Sequence, residues 1–325
     1  MLTEERKNIM ATQAHAVSSG QALKKKIFLN KFLTVFWKIF RALLLIALGY
    51  ILVYPLFYML SMTFRDAQDM YDVTVTWIPK HFTMENLARV WDAMEFPAAF
   101  GRTLLFSVFC SLFSLVTCSL AGYGLARFKF KGSGALFALM LFTIIVPGQF
   151  FILPTYLNFS SFTNITNIQI LNTPLSMILP AMLGTGIRSG LYIYIFRQFF
   201  KGMPRELEEA AYMDGCGYMS TFLRIMVPSA VSAFVTCFLF SFVWNWNDYQ
   251  ISSMLMETKK TLSSALLSLR SVLLNSEITG EQPDVTRVLV DLQAGSLLVV
   301  TPVLALYLVF QRFFVESIER TGLVE

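Results

Sequence analysis

"ELEEAAYMDGCGYMSTFLRIMVP", residues 206–228, sets an acidic, glycine-broken stretch between two apolar runs. Its first half reads as a helix. Pro204 suits a first turn, and Glu206, Glu208 and Glu209 fall near the positive N-terminal end, where carboxylates are stabilised. Gly215 supplies a stop. Beyond it Met219, Phe222, Leu223 and Met226 recur at steps of three, four and three, giving a second short helix an apolar face before Pro228 opens the next run. The segment therefore predicts two short helices joined at a sharp turn, and the runs on either side decide what kind of fold carries them.

Those runs are long. A membrane span needs about 20 mainly apolar residues, and six stretches qualify: 42–62, 103–126, 135–157, 174–197, 226–246 and 292–311. Unbroken apolar runs of this length mean helices, because barrel strands alternate in polarity and are half as long. With 55% hydrophobic and 14% charged residues in 325, the expected fold is an all-α integral membrane protein of six transmembrane helices.

Lys and Arg near the spans orient it. Arg6, Lys7, Lys24, Lys25, Lys26, Lys31, Lys38 and Arg41 precede the first span, and Arg127, Lys129 and Lys131 occupy the next loop on that side with no acid. On the opposite side, residues 63–102 hold four basic residues against six acids, and 158–173 carry no charge. Both termini and the 206–228 segment are thus expected in the cytoplasm. This topology accounts for the net charge of +5, and no nucleic-acid partner is read from it. The long polar N-terminus shows no cleavage pattern, so the first span is expected to remain as a helix.

Along the chain, residues 1–23 are polar and expected to be mobile. In 27–41, Lys31, Thr34, Lys38 and Arg41 share one face opposite Phe and Leu, predicting an interfacial helix that leads into the first span, with its lysines toward lipid headgroups. The domain division is therefore 1–41, then a membrane-spanning body at 42–325 with the loop 202–228. Thr83 is placed to cap a short helix begun by Met84 and Glu85. Pro147 and Gly148 should kink the third span. "LSSALLSLRSVLL", 262–274, reads as a helix lying on or dipping into the bilayer. Cys110, Cys118, Cys216 and Cys237 lack zinc or redox spacing and are expected reduced.

Two features point to a solute path. Arg188 is charged well inside the fourth span, which is costly unless it faces the bundle interior or a watery cavity. Trp244, Asn245, Asn247 and Asp248, in "WNWNDY", combine aromatic and hydrogen-bonding groups suited to sugars. The same residues also read as interface anchors and helix terminators.

From Glu209 the loop reads E-A-A, three residues, Gly215, nine residues, Ile225, one residue, Val227-Pro228. This resembles the coupling loop of ATP-binding-cassette importer permeases, with Val227 where the family pattern has Leu. "AGYGLARFKFKG", "IVPGQFFILPTY", "FRQFFKGMPRELEEAAYMDG", "WNWNDY" and "VFQRFFV" stand in the order of the smaller permease subunit of maltose-type carbohydrate importers, over about residues 36–315. The resemblance implies that Glu209, Ala210, Ala211, Asp214, Gly215, Ile225 and Pro228 form the ATPase-coupling element: Glu209 pairing with a basic residue of the ATPase, the alanines allowing close approach, Gly215 making the turn. It further implies a second permease as heterodimer partner, a cytoplasmic ATPase dimer, an external solute-binding protein, a carbohydrate cargo, residence in the bacterial plasma membrane and no bound cofactor. The C-terminal "ESIERTGLVE" is more acidic than the family's small-residue ending.

No G-x-x-x-x-G-K-[ST] phosphate loop occurs in the chain, so a non-catalytic subunit served by ATP hydrolysis in trans is expected. The alternative is a gradient-driven secondary transporter. Such a protein normally needs carboxylates or exposed carbonyls within the membrane; the six spans contain no Asp or Glu. An intramembrane enzyme is disfavoured, since His15 and His81 both lie outside the spans.

Overall fold

The computed structural model describes residues 2–276 and 284–322 and, within them, the side chains of 30–274 and 284–311. Every regular element among the described residues is helical: α1 (Leu2–Thr63), α2 (Ala67–Tyr71), α3 (Glu85–Ala93), α4 (Phe96–Arg127), α5 (Ser133–Ile145), α6 (Gln149–Thr166), α7 (Leu175–Met182), α8 (Ser189–Gly202), α9 (Glu206–Met213), α10 (Tyr218–Thr221), a π-helical turn (Phe222–Met226), α11 (Val227–Ser229), α12 (Val231–Asn247), α13 (Gln250–Leu255), α14 (Leu262–Ser276) and α15 (Val285–Gly322). The all-α, membrane-spanning reading holds. The chain forms two units, 1–58 and 59–325.

The first unit is most of α1. The helix begins at Leu2 and runs without a break through 27–41 into the first apolar run. Lys31, Lys38 and Arg41 interrupt the apolar pattern but leave the backbone bonding intact, since charged long side chains are good helix formers. Large apolar side chains from Phe32 to Phe57 are exposed, as suits a lipid-facing helix.

In the second unit, α4 is the common partner of three apolar clusters. Near its start, Phe96 and Ala99 pack with Trp246, Leu269 and Val288; at its middle, Phe106 and Cys110 pack with Met177 and Leu255; near its end, Cys118 and Tyr123 pack with Phe196, Phe222 and Cys237. Its buried row is rich in small residues, including Ser107, Ser111, Ser114, Ser119 and Gly122. Small side chains let helices approach where no hydrophobic force drives them together. By contrast no residue of α5 or α6 is fully buried, although Tyr156 and Phe159 of α6 pack partly against the middle cluster.

Of the six apolar runs, those in α1, α4 and α15 are continuous. Two more are bent: α5 and α6 meet at 103°, and the Tyr218–Ser229 helix meets α12 at 79°. At the first bend, Val146 is extended (ψ 124°), as the residue before a proline must be, and Pro147 offers no N–H to continue the ladder. At the second, the bend lies at Ala230 and not at Pro228, whose place in the first turn of α11 leaves the helix unbroken. The 174–197 run is not one helix. It divides into α7 and α8 across Leu183–Arg188, where Gly184 (φ +72°) and Arg188 (φ +60°) adopt left-handed backbone.

The 262–274 stretch is helical, and α14 buries Leu262, Ala265, Leu269 and Leu273 against a core shared with α3, α4 and α15, while Arg270 stays exposed. The Thr83 hydroxyl accepts the Glu85 N–H at 3.2 Å, but the cap position itself falls to Met84, because the helix begins at Glu85. Cys110, Cys118, Cys216 and Cys237 are free thiols.

The 63–95 connection is latched to itself. Asp69, nearly inaccessible, accepts hydrogen bonds from the Lys80 and His81 backbone N–H groups at 2.6 and 2.8 Å and lies 3.1 Å from His81 Nδ1. Burial opposes its charge, but the His81 and Lys80 hydrogen bonds outweigh that and hold its pKa below the usual carboxylate range. A depressed folded pKa stabilises fully above the unfolded value and is lost as pH falls through the folded one. Hydrogen-exchange protection of the Lys80 and His81 amides should therefore be flat from neutral pH down to about 4 and fall below it, and Asp69→Ala should remove it at neutral pH. Equal protection in that variant would show that the latch is held elsewhere.

Candidate functional site

The acidic segment projects from the bundle as two short helices. In α9, Glu208 and Ala211 are buried, whereas Glu206, Glu209, Ala210 and Met213 are exposed. Offsets of three, four and seven put those four on one helical face. Met213 is 88% exposed, and Tyr218, Met219 and Leu223 beside it are also open, an apolar set left largely open among the described residues. The apolar face read from Met219, Phe222, Leu223 and Met226 thus splits. Phe222 and Met226 enter the core, and the π-helical turn rotates Met219 and Leu223 outward.

The turn is closed by backbone. The Cys216 N–H reaches the Ala211 carbonyl at 2.9 Å and the Gly215 N–H reaches that of Tyr212 at 3.0 Å, the paired bonds of a Schellman end. Gly215 sits at φ +82°, where a side chain costs about 1–2 kcal/mol. Asp214 is exposed at the helix C-terminus, Ile225 is half-buried and Pro228 exposed.

Glu208, which the sequence reading treated only as one of three helix-terminal acids, ties this element to the bundle. The Tyr123 hydroxyl donates to Glu208 Oε1 at 2.6 Å. Arg127 Nε stands 2.9 Å from Oε2, an ion pair out of line for a hydrogen bond, and another guanidinium nitrogen donates to the Met203 carbonyl at 3.0 Å. Both charged side chains are over nine-tenths buried. Ala211, one turn further on, was the available signal that this face turns inward.

The second feature is a cavity of about 820 Å³ in the second unit, at which three interruptions converge: 146–148, 183–188 and 248–249. Broken helices of this kind are tolerated at membrane depth where the freed backbone lines a cavity. All five path candidates line it: Arg188, Trp244, Asn245, Asn247 and Asp248. Their chemistry differs. The Asn245 amide turns back to Ser241, donating to its carbonyl at 2.8 Å, and Asp248 caps α13 by accepting the Ser252 N–H at 2.7 Å. Arg188 lies over the Trp244 ring at 3.7 Å, a cation–π contact. Gln149 and Gln250, which the sequence reading did not single out, join across the cavity wall at 3.0 Å.

Asp66, Asp69 and His81 come within 4.8 Å of one another, as a metal-ligand set would. Their carboxylates are occupied, however: Asp66 caps α2 through the Gln68 and Asp69 N–H groups, and Asp69 closes the latch described above. The acidic end of the chain, 316–325, lies outside the described side chains.

Residues 118–320 match the family model described as "Binding-protein-dependent transport system inner membrane component". The chain is 26% identical over 280 residues to the arabinooligosaccharides transport system permease protein AraQ of Halalkalibacterium halodurans, covering 85% of this chain and 92% of that one. It is 28% identical over 275 residues to the sn-glycerol-3-phosphate transport system permease protein UgpE of Yersinia enterocolitica, covering 82% and 91%. Among solved structures, a chain of a bacterial ABC transporter involved in import of the acidic polysaccharide alginate superposes with a TM-score of 0.70 at 21% identity, over 86% of this chain and 96% of that one. That likeness is one of fold.

Proposed function

Because the chain belongs to the binding-protein-dependent transport system inner membrane components, and is thereby a membrane permease subunit of an importer, we propose that it moves a carbohydrate inward, driven by a separate ATPase that grips α9. The observation carrying the second half is the exposed face of Glu206, Glu209, Ala210 and Met213 on a helix held to the bundle by its opposite face. Ala210 leaves room for close approach, Glu209 offers a charge to a basic partner, and the open Met213, Tyr218 and Met219 supply apolar contact. Ala211 serves the internal packing instead. The carbohydrate cargo is supported by the names of relatives such as the arabinooligosaccharide permease and by a cavity that sets an indole face beside amides.

In this reading the positive-inside bias places both termini and α9 in the cytoplasm. A second permease covers the outward faces of α5 and α6, an external solute-binding protein delivers cargo at the 63–95 end, and α9 transmits closure of two ATPases through Glu208 to α4. Lipid faces α1.

Affinity purification of the tagged chain from its native membrane tests this. An ATPase and a second permease should accompany the wild type. Glu209→Lys should lose the ATPase while keeping the permease partner, since Glu209 is exposed and lies on the face of α9 turned away from the bundle. A chain that purifies alone, and concentrates solute in vesicles without ATP, would return the gradient-driven transporter.

A further inference from the structure

Resting on the importer reading, we propose that the cavity binds an anionic group on its cargo, a carboxylate or phosphate ester carried by a polyhydroxyl chain, at the Arg188 guanidinium beside the N-terminus of α8.

The Arg188 side chain has no ion pair or hydrogen bond among the described residues; its contact is the Trp244 ring at 3.7 Å. A guanidinium stacked by its face keeps its in-plane N–H edge free, the edge that matches carboxylate and phosphate oxygens. The acid in the same wall, Asp248, does not neutralise it, being turned to the Ser252 and Ile251 N–H groups. A charge at this depth is expensive and is retained for a partner.

Ser189 is the first residue of a 14-residue helix, whose positive end adds to the attraction for an anion at Arg188, while its own hydroxyl is enclosed and not open to the cavity. Arg188 is held there by left-handed backbone at φ +60°, between Gly186 and Gly190. A Cβ on Gly190 would fall 2.5 Å from Thr143 Oγ1, so this close approach to α5 depends on glycine. The indole of Trp244 and the amides of Asn247 and Gln149 remain for the hydroxyl-rich part of the cargo.

The test uses the whole importer, purified with its partners, and three probes: cellobiose, cellobiuronic acid (the same disaccharide with one carboxylate) and cellobiose phosphate. Binding is followed by tryptophan fluorescence, and ATP-dependent uptake in proteoliposomes with the binding protein. The wild type should bind at least one anionic probe about tenfold or more tightly than cellobiose, as a charge-assisted pair predicts. Arg188→Gln should abolish that preference, bringing the anionic probes to the affinity that the same variant shows for cellobiose, and Arg188→Lys should keep part of it. The carboxylate and phosphate arms say which anion is held. Equal binding of all three probes by the wild type overturns the proposal. So does an Arg188→Gln complex that keeps the preference, or one that loses the second permease, which would make Arg188 an assembly residue. Selective anion binding without ATP-dependent uptake would instead retain the site and remove the importer reading.

Discussion

Glu208→Gln is expected to lower the thermal midpoint of the purified protein sharply, whereas Glu209→Gln, one residue on, leaves it unchanged. Glutamine preserves the shape and still accepts from Tyr123, but it strands the Arg127 charge. That guanidinium is 6% exposed and within 2.9 Å of the carboxylate it would lose. Breaking a buried pair by removing one partner costs about 3–5 kcal/mol, chiefly because the remaining charge stays buried. Replacing both partners by apolar residues of similar size is often neutral, so Glu208→Leu combined with Arg127→Met should recover most of the loss, leaving a large coupling energy in the double-mutant cycle. The rescued protein separates two roles. If the pair also transmits force from the proposed ATPase contact, the double variant will hold its ATPase but transport poorly. A midpoint for Glu208→Gln equal to wild type would mean that the pair is solvated and not a structural tie.

Gly122→Ala should be the more disruptive of two single-methyl changes in "AGYGLARF". A Cβ at 122 would stand 2.7 Å from Phe196 Cβ, 2.9 Å from the Arg197 nitrogen and 3.1 Å from the Ile193 carbonyl oxygen. Two of these are backbone atoms of α8, so relief requires moving the helix and not swinging a side chain. Overpacking a core costs about 1–3 kcal/mol, occasionally more, and here the strain falls on the contact that aligns α8, and with it Arg188, against α4. Gly124→Ala is the control, because its Cβ would meet nothing within 4 Å. There alanine should be neutral or stabilising, by up to about 1 kcal/mol of helix propensity. Thermal midpoints and detergent-extracted yield for the pair report the difference. Equal midpoints would mean that α4 and α8 can part without cost.

Legibility in the sequence followed the range of each interaction. The break at Pro147, extended Val146 and the Gly215 turn were readable because they depend on what one residue's own backbone permits. The division of the 174–197 run was not read, although Gly184 and Gly186 stood in it. Apolar residues continue on both sides of the break, so a loss of helical continuity leaves the run as greasy as before. The packing of α14 was not legible for a related reason: its leucines at 262, 269 and 273 suit a lipid surface or a protein core equally, and only the structure shows them against α3 and α15. Among the candidate path residues, composition alone did not separate Trp244, which stacks on Arg188, from Asn245 and Asp248, whose polar groups serve their own backbone.

By itself the sequence determined that this protein is a bundle of helices with its apolar surface set toward lipid, a jointed acidic element between two spans and a charge placed deep in a third. Run length, proline, glycine and charge act locally, and no neighbour is needed to read them. Only the tertiary structure decided which of two adjacent glutamates faces inward and which outward. It also brought three helix breaks to one cavity and left the Arg188 guanidinium there with no hydrogen-bond or ion-pair partner among the described residues. Those outcomes depend on side chains such as Tyr123 and Glu208, 85 residues apart, meeting through packing that no local propensity encodes.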